Sequence, residues 1–126
     1  MKLTHYQKIL VALATGWVLA YPLLFFGVVL IFTLGMAAMP VDDPTAFPGF
    51  VFAAILPLHC LTIIVQIALM AFYLAHVIKN TAASDTARII LGVGSFFMPY
   101  VAMPIYFYFF IWREDPPEWG RAVTPL

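Results

Sequence analysis

Charged residues are scarce in this sequence: Asp, Glu, Lys and Arg make up only 10% of its 126 residues, whereas 64% are hydrophobic. Soluble domains contain about 25% charged residues, so the composition is that of an integral membrane protein. The formal net charge is zero, and there is neither a basic run nor a Gly-rich phosphate loop. The usual signatures of nucleic-acid binding are therefore missing. We expect the partners to be the lipid bilayer and other membrane protein subunits, or further copies of the chain, and no nucleic acid.

Residues that support catalysis or metal binding are equally rare. Cys60 is the only cysteine, which excludes an intrachain disulfide and a cysteine-based zinc cluster. No carboxylate lies within an apolar run, and the HExxH pattern is absent. Asp42 and Asp43 are adjacent in a proline-rich turn without a third ligand nearby, which favours a solvated turn over a metal site. The sequence predicts no enzyme activity and no metal.

Three long apolar runs separated by short polar turns indicate the fold class. A bilayer core of about 30 Å needs roughly 20 apolar residues per helix. We predict an all-α integral membrane protein, with one domain over residues 1–126 and three transmembrane helices at about 9–38, 49–78 and 88–112. The first run is too long for a cleaved signal, whose apolar region is about 7–15 residues.

The orientation is predicted from the Lys and Arg residues near the span ends. The amino-terminal segment and the second turn each have two, and the first turn has none. This favours an inner (plasma) membrane location with the amino terminus in the cytoplasm. Three spans would then place the carboxyl terminus outside. Arg113, at the end of the third run, is at odds with this orientation.

The second run carries nearly all of the polar side chains expected inside the membrane. They are spaced by three, four, seven and three residues, so they share one side of a helix. Such a stripe is expected to face protein, where its members can form hydrogen bonds that lipid cannot supply. The stripe consists of His59, Thr62, Gln66, Tyr73 and His76. For His59 and Gln66, structural hydrogen bonding, proton or ligand handling and cofactor ligation all remain open.

Histidines on membrane helices are the usual axial ligands of a haem cofactor. His59 and His76 are 17 residues apart, about 25 Å along a helix, so they cannot bind one haem from opposite faces. A haem in one chain would need a single histidine ligand, a Met such as Met98 or Met103, or a neighbouring subunit. We predict no cofactor, and a haem shared with a neighbouring subunit stays open.

Two further groups of residues indicate packing against other helices. Small residues that let helices approach closely recur in the first and third runs, at Ala12, Gly16, Ala20, Gly92 and Ser95. Aromatic residues crowd the end of the third run and the tail. We expect them to anchor the outer interface and to contact a partner. These are Tyr100, Tyr106, Tyr108, Trp112 and Trp119.

The segment from Phe72 to Glu114 carries a family resemblance. A helix ends before Lys79 and Asn80, and the next run closes with Pro104, Ile105, Tyr106, Tyr108, Trp112 and Arg113. This pattern resembles small, uncharacterised bacterial multi-span membrane proteins. The last run is also similar to the membrane segment that precedes some phospholipase D-type nucleases. The pattern departs at Ile90 and Phe107, where a Trp is expected. The resemblance implies a bacterial origin and no particular activity.

Two functions remain open at this point. The first is a non-catalytic membrane subunit that packs against partner proteins in a larger complex, which the small-residue ladder and the aromatic cluster favour. The alternative is a small oligomeric transporter or channel whose path is lined by His59, Thr62 and Gln66.

Overall fold

The computed structural model describes residues 3–38, 46–113 and 115–122. Two long helices come first, α1 at His5–Ala38 and α2 at Ala46–Lys79. Two shorter helices follow, α3 at Asp85–Phe97 and α4 at Pro99–Tyr106. A π-helical turn at Phe107–Trp112 and a 3₁₀ turn at Glu118–Gly120 complete the described chain. The all-α prediction is confirmed, and the described part contains no β-strand beyond a single bridge between Ala83 and Arg121.

The two long helices have the length and composition needed to cross a membrane. The qualifying segments are His5–Ala37 and Phe52–Lys79. Helix α1 begins at a capping box, in which the Gln7 amide nitrogen donates to the Thr4 hydroxyl and the Thr4 amide nitrogen donates to the Gln7 side chain. Both helices continue through an internal proline, Pro22 in α1 and Pro57 in α2.

Helices α1 and α2 run antiparallel. Three side-chain hydrogen bonds connect them. They join Tyr21 with His59, Trp17 with Thr62 and Thr15 with Tyr73. Along these three pairs the residue number decreases in α1 while it increases in α2, so the two helices run in opposite directions. The amino-terminal end of α1 therefore lies beside the carboxyl-terminal end of α2.

The third apolar run does not form one continuous helix. Met98, with φ −134° and ψ 59°, leaves the helical region immediately before Pro99, as the residue before a proline tends to do. A Cβ added to Gly94 would lie 3.0 Å from the Cβ of Ala102, whereas residues eight apart in one helix are separated by about 12 Å. Helix α4 therefore folds back beside α3, and together with the π-helical turn they form a helical hairpin.

The hairpin returns the chain to the end where it started. Lys8 Nζ donates a hydrogen bond to the Trp112 carbonyl oxygen at 3.3 Å. Farther along, the Ser84 amide donates to the Gly120 carbonyl at 2.7 Å, and the Ala122 amide donates to the Ala82 carbonyl at 3.1 Å. The start of α1, the α2–α3 turn and the tail thus lie together, at what we call the basic end. The expectation of a third continuous span, with the two chain ends at opposite ends of the bundle, is not confirmed.

The tail is held at the basic end by close packing on Phe110. The Phe110 ring stacks on Tyr106 with centroids 5.1 Å apart and contacts the Trp119 ring edge-on at 5.9 Å. A Cβ on Gly120 would lie 2.6 Å from Phe110 Cζ, so a side chain there would have to displace this ring. Glycine is the residue that allows the tail to approach so closely.

The close approach of the hairpin arms can be tested at Gly94. Replacing Gly94 with Leu should lower the free energy of unfolding by about 1–3 kcal/mol relative to a matched variant, because the added side chain has to separate α3 from α4. The matched variant is Gly35→Leu, which gains the same helix propensity at a site with no atom within 4 Å. Denaturant unfolding in a mild detergent measures both. Equal stability of the two variants would show that the arms are not in contact.

Candidate functional site

The polar side chains of α2 meet partners from α1 and α4 along the interior of the bundle. We call this set the polar seam, and it is the main candidate site. Its members are Thr15, Trp17, Tyr21, His59, Thr62, Tyr73, His76, Asn80 and Tyr106.

At the end farther from the termini, the seam is formed by aromatic residues of α1. The Tyr21 hydroxyl and His59 Nδ1 are 2.9 Å apart, and their rings lie 5.6 Å apart. Phe25 packs on the same imidazole at 5.7 Å. His59 nevertheless has an exposed outer edge. The histidine is thus held by α1 on one side and open on the other.

The middle of the seam joins Thr15 and Trp17 of α1 to Thr62 and Tyr73 of α2. Trp17 Nε1 donates to the Thr62 hydroxyl at 3.0 Å, and that hydroxyl donates in turn to the Leu58 carbonyl oxygen at 2.9 Å. The Thr15 and Tyr73 hydroxyls are 2.8 Å apart, and both residues are buried. These contacts join α1 to α2 and use the hydroxyl groups of Thr15, Thr62 and Tyr73 within the chain.

Tyr106 is the hub at the basic end of the seam. Asn80 Nδ2 donates to its hydroxyl at 3.1 Å, and His76 Nδ1 lies 2.8 Å from the same oxygen. The amide of Ala82 donates to Asn80 Oδ1 at 3.2 Å, which orients the Asn80 side chain with its nitrogen towards Tyr106. The phenol oxygen accepts from Asn80, and its bond to His76 Nδ1 runs in the direction that the His76 tautomer sets.

Two findings at this hub differ from the sequence analysis. Tyr106 is 0% exposed, so it does not lie on the aromatic surface on which it was expected. Asn80, interpreted only as part of a turn pattern, is a buried member of the seam. A polar residue at the end of an apolar run signals a helix end in the sequence, and only the folded hairpin shows that it bonds to a tyrosine 26 residues later.

Gln66 is the member of the predicted stripe that stands apart. It is half-buried, and within the described part of the chain no group hydrogen-bonds to its amide. Because that amide is not fully enclosed, it is accessible to whatever surrounds α2.

The other residues singled out in the sequence occupy both packed and open positions. Gly92 lies against α2, where an added Cβ would be 3.5 Å from Val77 Cγ1, and Ser95 is buried with its hydroxyl donating to the Leu91 carbonyl. Ala12 is half-buried, while Gly16 and Ala20 face outward. Four of the five predicted contact aromatics are exposed, at 45% for Tyr100, 53% for Tyr108, 46% for Trp112 and 57% for Trp119.

The seam offers hydrogen bonds and a proton acceptor but no set of ligands for a metal. Among the described residues, no three His, Cys, Asp or Glu side chains are grouped closely enough to hold an ion. Asp42 and Asp43 lie outside the described residues. Cys60 is exposed on α2, adjacent in sequence to His59. The arrangement is suited to holding three helical elements together.

The hub can be tested by removing a single oxygen. Tyr106→Phe should lower the free energy of unfolding by about 1–3 kcal/mol, because the change leaves buried His76 and Asn80 without this partner. Tyr108→Phe is the matched control, since Tyr108 is more than half exposed and its loss should change stability by less than about 0.5 kcal/mol. Both are measured by denaturant unfolding in detergent. Equal effects at the two positions would contradict the role of Tyr106 as a hub.

No protein-family model, curated protein or solved structure matches this chain. Its function is therefore inferred from its own residues and contacts.

Proposed function

We propose that this chain is a non-catalytic integral membrane subunit that spans the bilayer with α1 and α2 and packs its open helix faces on partner membrane proteins or on further copies of itself. The observation that carries this proposal is an inside-out distribution of side chains. Most members of the polar seam are buried and paired within it, whereas many large apolar side chains point outward.

The outward-facing apolar side chains extend along both long helices. On α1, Leu23 is 78% exposed and Ile31 is 73% exposed. On α2, Phe52, Leu56 and Ile64 are exposed as well. In water, each such side chain would forgo about 1.5–3 kcal/mol of burial free energy. Lipid or a partner helix removes that penalty, and the paired polar groups inside satisfy the requirement that hydrocarbon imposes.

The hairpin fits a bilayer as a re-entrant element. Its first arm, α3, has 13 residues and measures about 20 Å, which is shorter than the hydrocarbon thickness of about 30 Å. The residues at its tip, Phe96, Phe97 and Met98, are all apolar and exposed. The Met98 amide donates to the Gly94 carbonyl at 2.7 Å, and the Met98 carbonyl accepts from the Ala102 amide at 3.0 Å. Both backbone groups of Met98 are thus paired, which lowers the cost of placing this turn in hydrocarbon.

The charges support one orientation. Arg88 donates to the carbonyls of Val77 and Ile78 and pairs with Asp85 at the start of α3. All five described Lys and Arg residues lie at the basic end, namely Lys8, Lys79, Arg88, Arg113 and Arg121. The segment between α1 and α2 has no basic residue in its sequence. The positive-inside rule then favours a basic end in the cytoplasm, with both termini on that side.

The contacts of the stripe favour a structural subunit over a channel. Thr62, Tyr73 and His76 are bonded to residues of the same chain. A path for ions would need these groups to face water along its length. His59 is the one stripe residue that is both hydrogen-bonded within the chain and exposed at its outer edge.

A partner surface is suggested by the small residues of α1. Gly16 is exposed, and nothing lies within 4 Å of the position that a Cβ would take. Ala12 and Ala20 are one turn away on either side. In membranes, such ladders let a second helix approach closely. The open amide of Gln66 would likewise need a hydrogen-bonding partner inside a bilayer.

The topology gives a direct test. Reporters fused at residues 3 and 124 should both report the cytoplasm, because the hairpin returns the chain to the side from which it entered. A third reporter inserted after Asp43 should report the opposite side. If the reporters at residues 3 and 124 reported opposite sides of the membrane, the re-entrant hairpin would be contradicted.

The proposed partner surface of α1 is tested by adding a large side chain at its centre, Gly16. Gly16→Leu should reduce recovery of the complex at least tenfold in mild-detergent purification followed by native mass measurement, because the added side chain keeps a neighbouring helix away. Gly35→Leu, an equally open position about 100° around the helix, should leave recovery unchanged.

Purification of the wild-type chain as a lone monomer would refute the subunit proposal. A homo-oligomer with pH-dependent ion flux would favour the channel instead.

A further inference from the structure

The basic end contains a cleft of about 540 Å³ between the start of α1, the α2–α3 turn and the end of the hairpin. We propose that this basic-end cleft is a binding site for an anionic phosphate group. Its polar side is formed by Lys8, His76, Asn80 and Arg113, and its apolar side includes Phe110 and Ile111. Ligand sites in proteins typically have volumes of about 300–1,000 Å³ and combine an apolar wall with a few polar groups in this way.

Positive charge dominates the cleft. Lys8 and Arg113 both line it, and no carboxylate does so among the residues that the structure describes. The nearest described acidic groups at this end are elsewhere: Asp85 is paired with Arg88, and Asp115 and Glu118 are exposed outside the lining. An anion entering the cleft would therefore meet two cations and no described competitor for them.

The two cations are available to a ligand to different degrees. Lys8 Nζ uses one of its hydrogens on the Trp112 carbonyl, which holds the ammonium group at the edge of the cleft. The Arg113 amide donates to the Tyr108 carbonyl, but its guanidinium group has no hydrogen bond or ion pair with any group that the structure describes. The guanidinium group has five N–H donors, and its planar fork matches two oxygens of a phosphate. Arg113 would thus be the principal contact, and Lys8 the second.

The side chains of His76 and Asn80 are fixed before any ligand arrives. His76 and Asn80 are both held by the Tyr106 hydroxyl, and Asn80 is held a second time by the Ala82 amide. A wall that is already ordered loses little conformational entropy on binding. The seam therefore supports the cleft, because its hub positions one side of it.

The apolar wall allows two sources for the phosphate group. Phe110 and Ile111 could receive the first carbons of an acyl chain, which would make the ligand an anionic phospholipid. A free phosphate ester would need only the polar side. The lipid source rests on the proposed function, since it requires the basic end to lie at the headgroup level, whereas the free anion does not.

The test measures binding of two probes to the full chain purified in a neutral detergent. Inorganic phosphate is titrated by calorimetry. Retention of phosphatidylglycerol is compared with that of phosphatidylcholine by native mass measurement. Arg113→Gln should weaken binding of the effective probe about tenfold, the usual effect of losing one charge-assisted hydrogen bond. Lys79→Gln removes the same charge at the same end outside the cleft and should have no effect.

Lys8→Gln serves as a second variant at the cleft and should also weaken binding. Arg113→Lys keeps the charge without the planar fork, so it should weaken binding less than Arg113→Gln does. The Arg113 side chain is exposed and has no bond to the described chain. Unfolding curves of Arg113→Gln should therefore match those of the wild type. Selective retention of phosphatidylglycerol without phosphate binding assigns the lipid source, and phosphate binding assigns the free anion.

Equal losses in Arg113→Gln and Lys79→Gln would overturn the proposal, since they would reflect only the general charge of this end. Failure of the wild-type chain to bind either probe would overturn it as well. The proposed membrane function is tested separately by alkaline carbonate extraction. Release of the chain into the soluble fraction would refute that function. The phosphate titration of the purified chain would still test whether the cleft binds an anion.

Discussion

The hydrogen bonds of the Tyr106 hydroxyl are the interaction on which the rest of the structure depends. In a continuous helix from Asp85, residue 106 would lie about 30 Å along the axis, yet Asn80 Nδ2 is 3.1 Å from Tyr106 Oη. The bond can exist only if the chain turns back. The hairpin in turn gains a fixed end, because His76 and Asn80 hold it to α2. The turn at Met98 and the hub at Tyr106 thus require one another.

The two long helices, and the polar residues of α2 that face the interior, were predictable from short stretches of the sequence. Uncharged runs longer than a bilayer width predict α1 and α2, and the structure confirms both as candidate spans. The cap of α3 also has a local cause, since the Ser84 hydroxyl accepts from the Ala87 amide three residues later. The spacing of Thr62, Tyr73 and His76 indicated a shared side of α2. Helical periodicity depends on the residues themselves, so it can be recognised without knowing any partner.

The hairpin was not predictable in the same way, because its causes are long-range. Residues 88–112 have the length and hydropathy of a span, and prolines such as Pro99 and Pro104 are tolerated within membrane helices. The choice between a kink and a reversal depends on contacts such as Gly94 with Ala102 and Tyr106 with His76. A single sequence gives no sign of such pairs. The aromatic character of Tyr106 suggested an interface position, whereas its hydroxyl has partners that only the reversal provides.

The reversal also changes what the charges mean. With three spans, Arg113 lies on the side opposite Lys8 and weakens the orientation argument. With the hairpin, Arg113 and Lys8 line the same cleft, and every described basic residue lies at one end. A cluster of like charges is unfavourable unless counter-charges lie near, and the pairing of Arg88 with Asp85 relieves only part of it. An anionic surface or ligand that binds this end of the folded chain would therefore also stabilise the fold, because it offsets the repulsion among the basic residues.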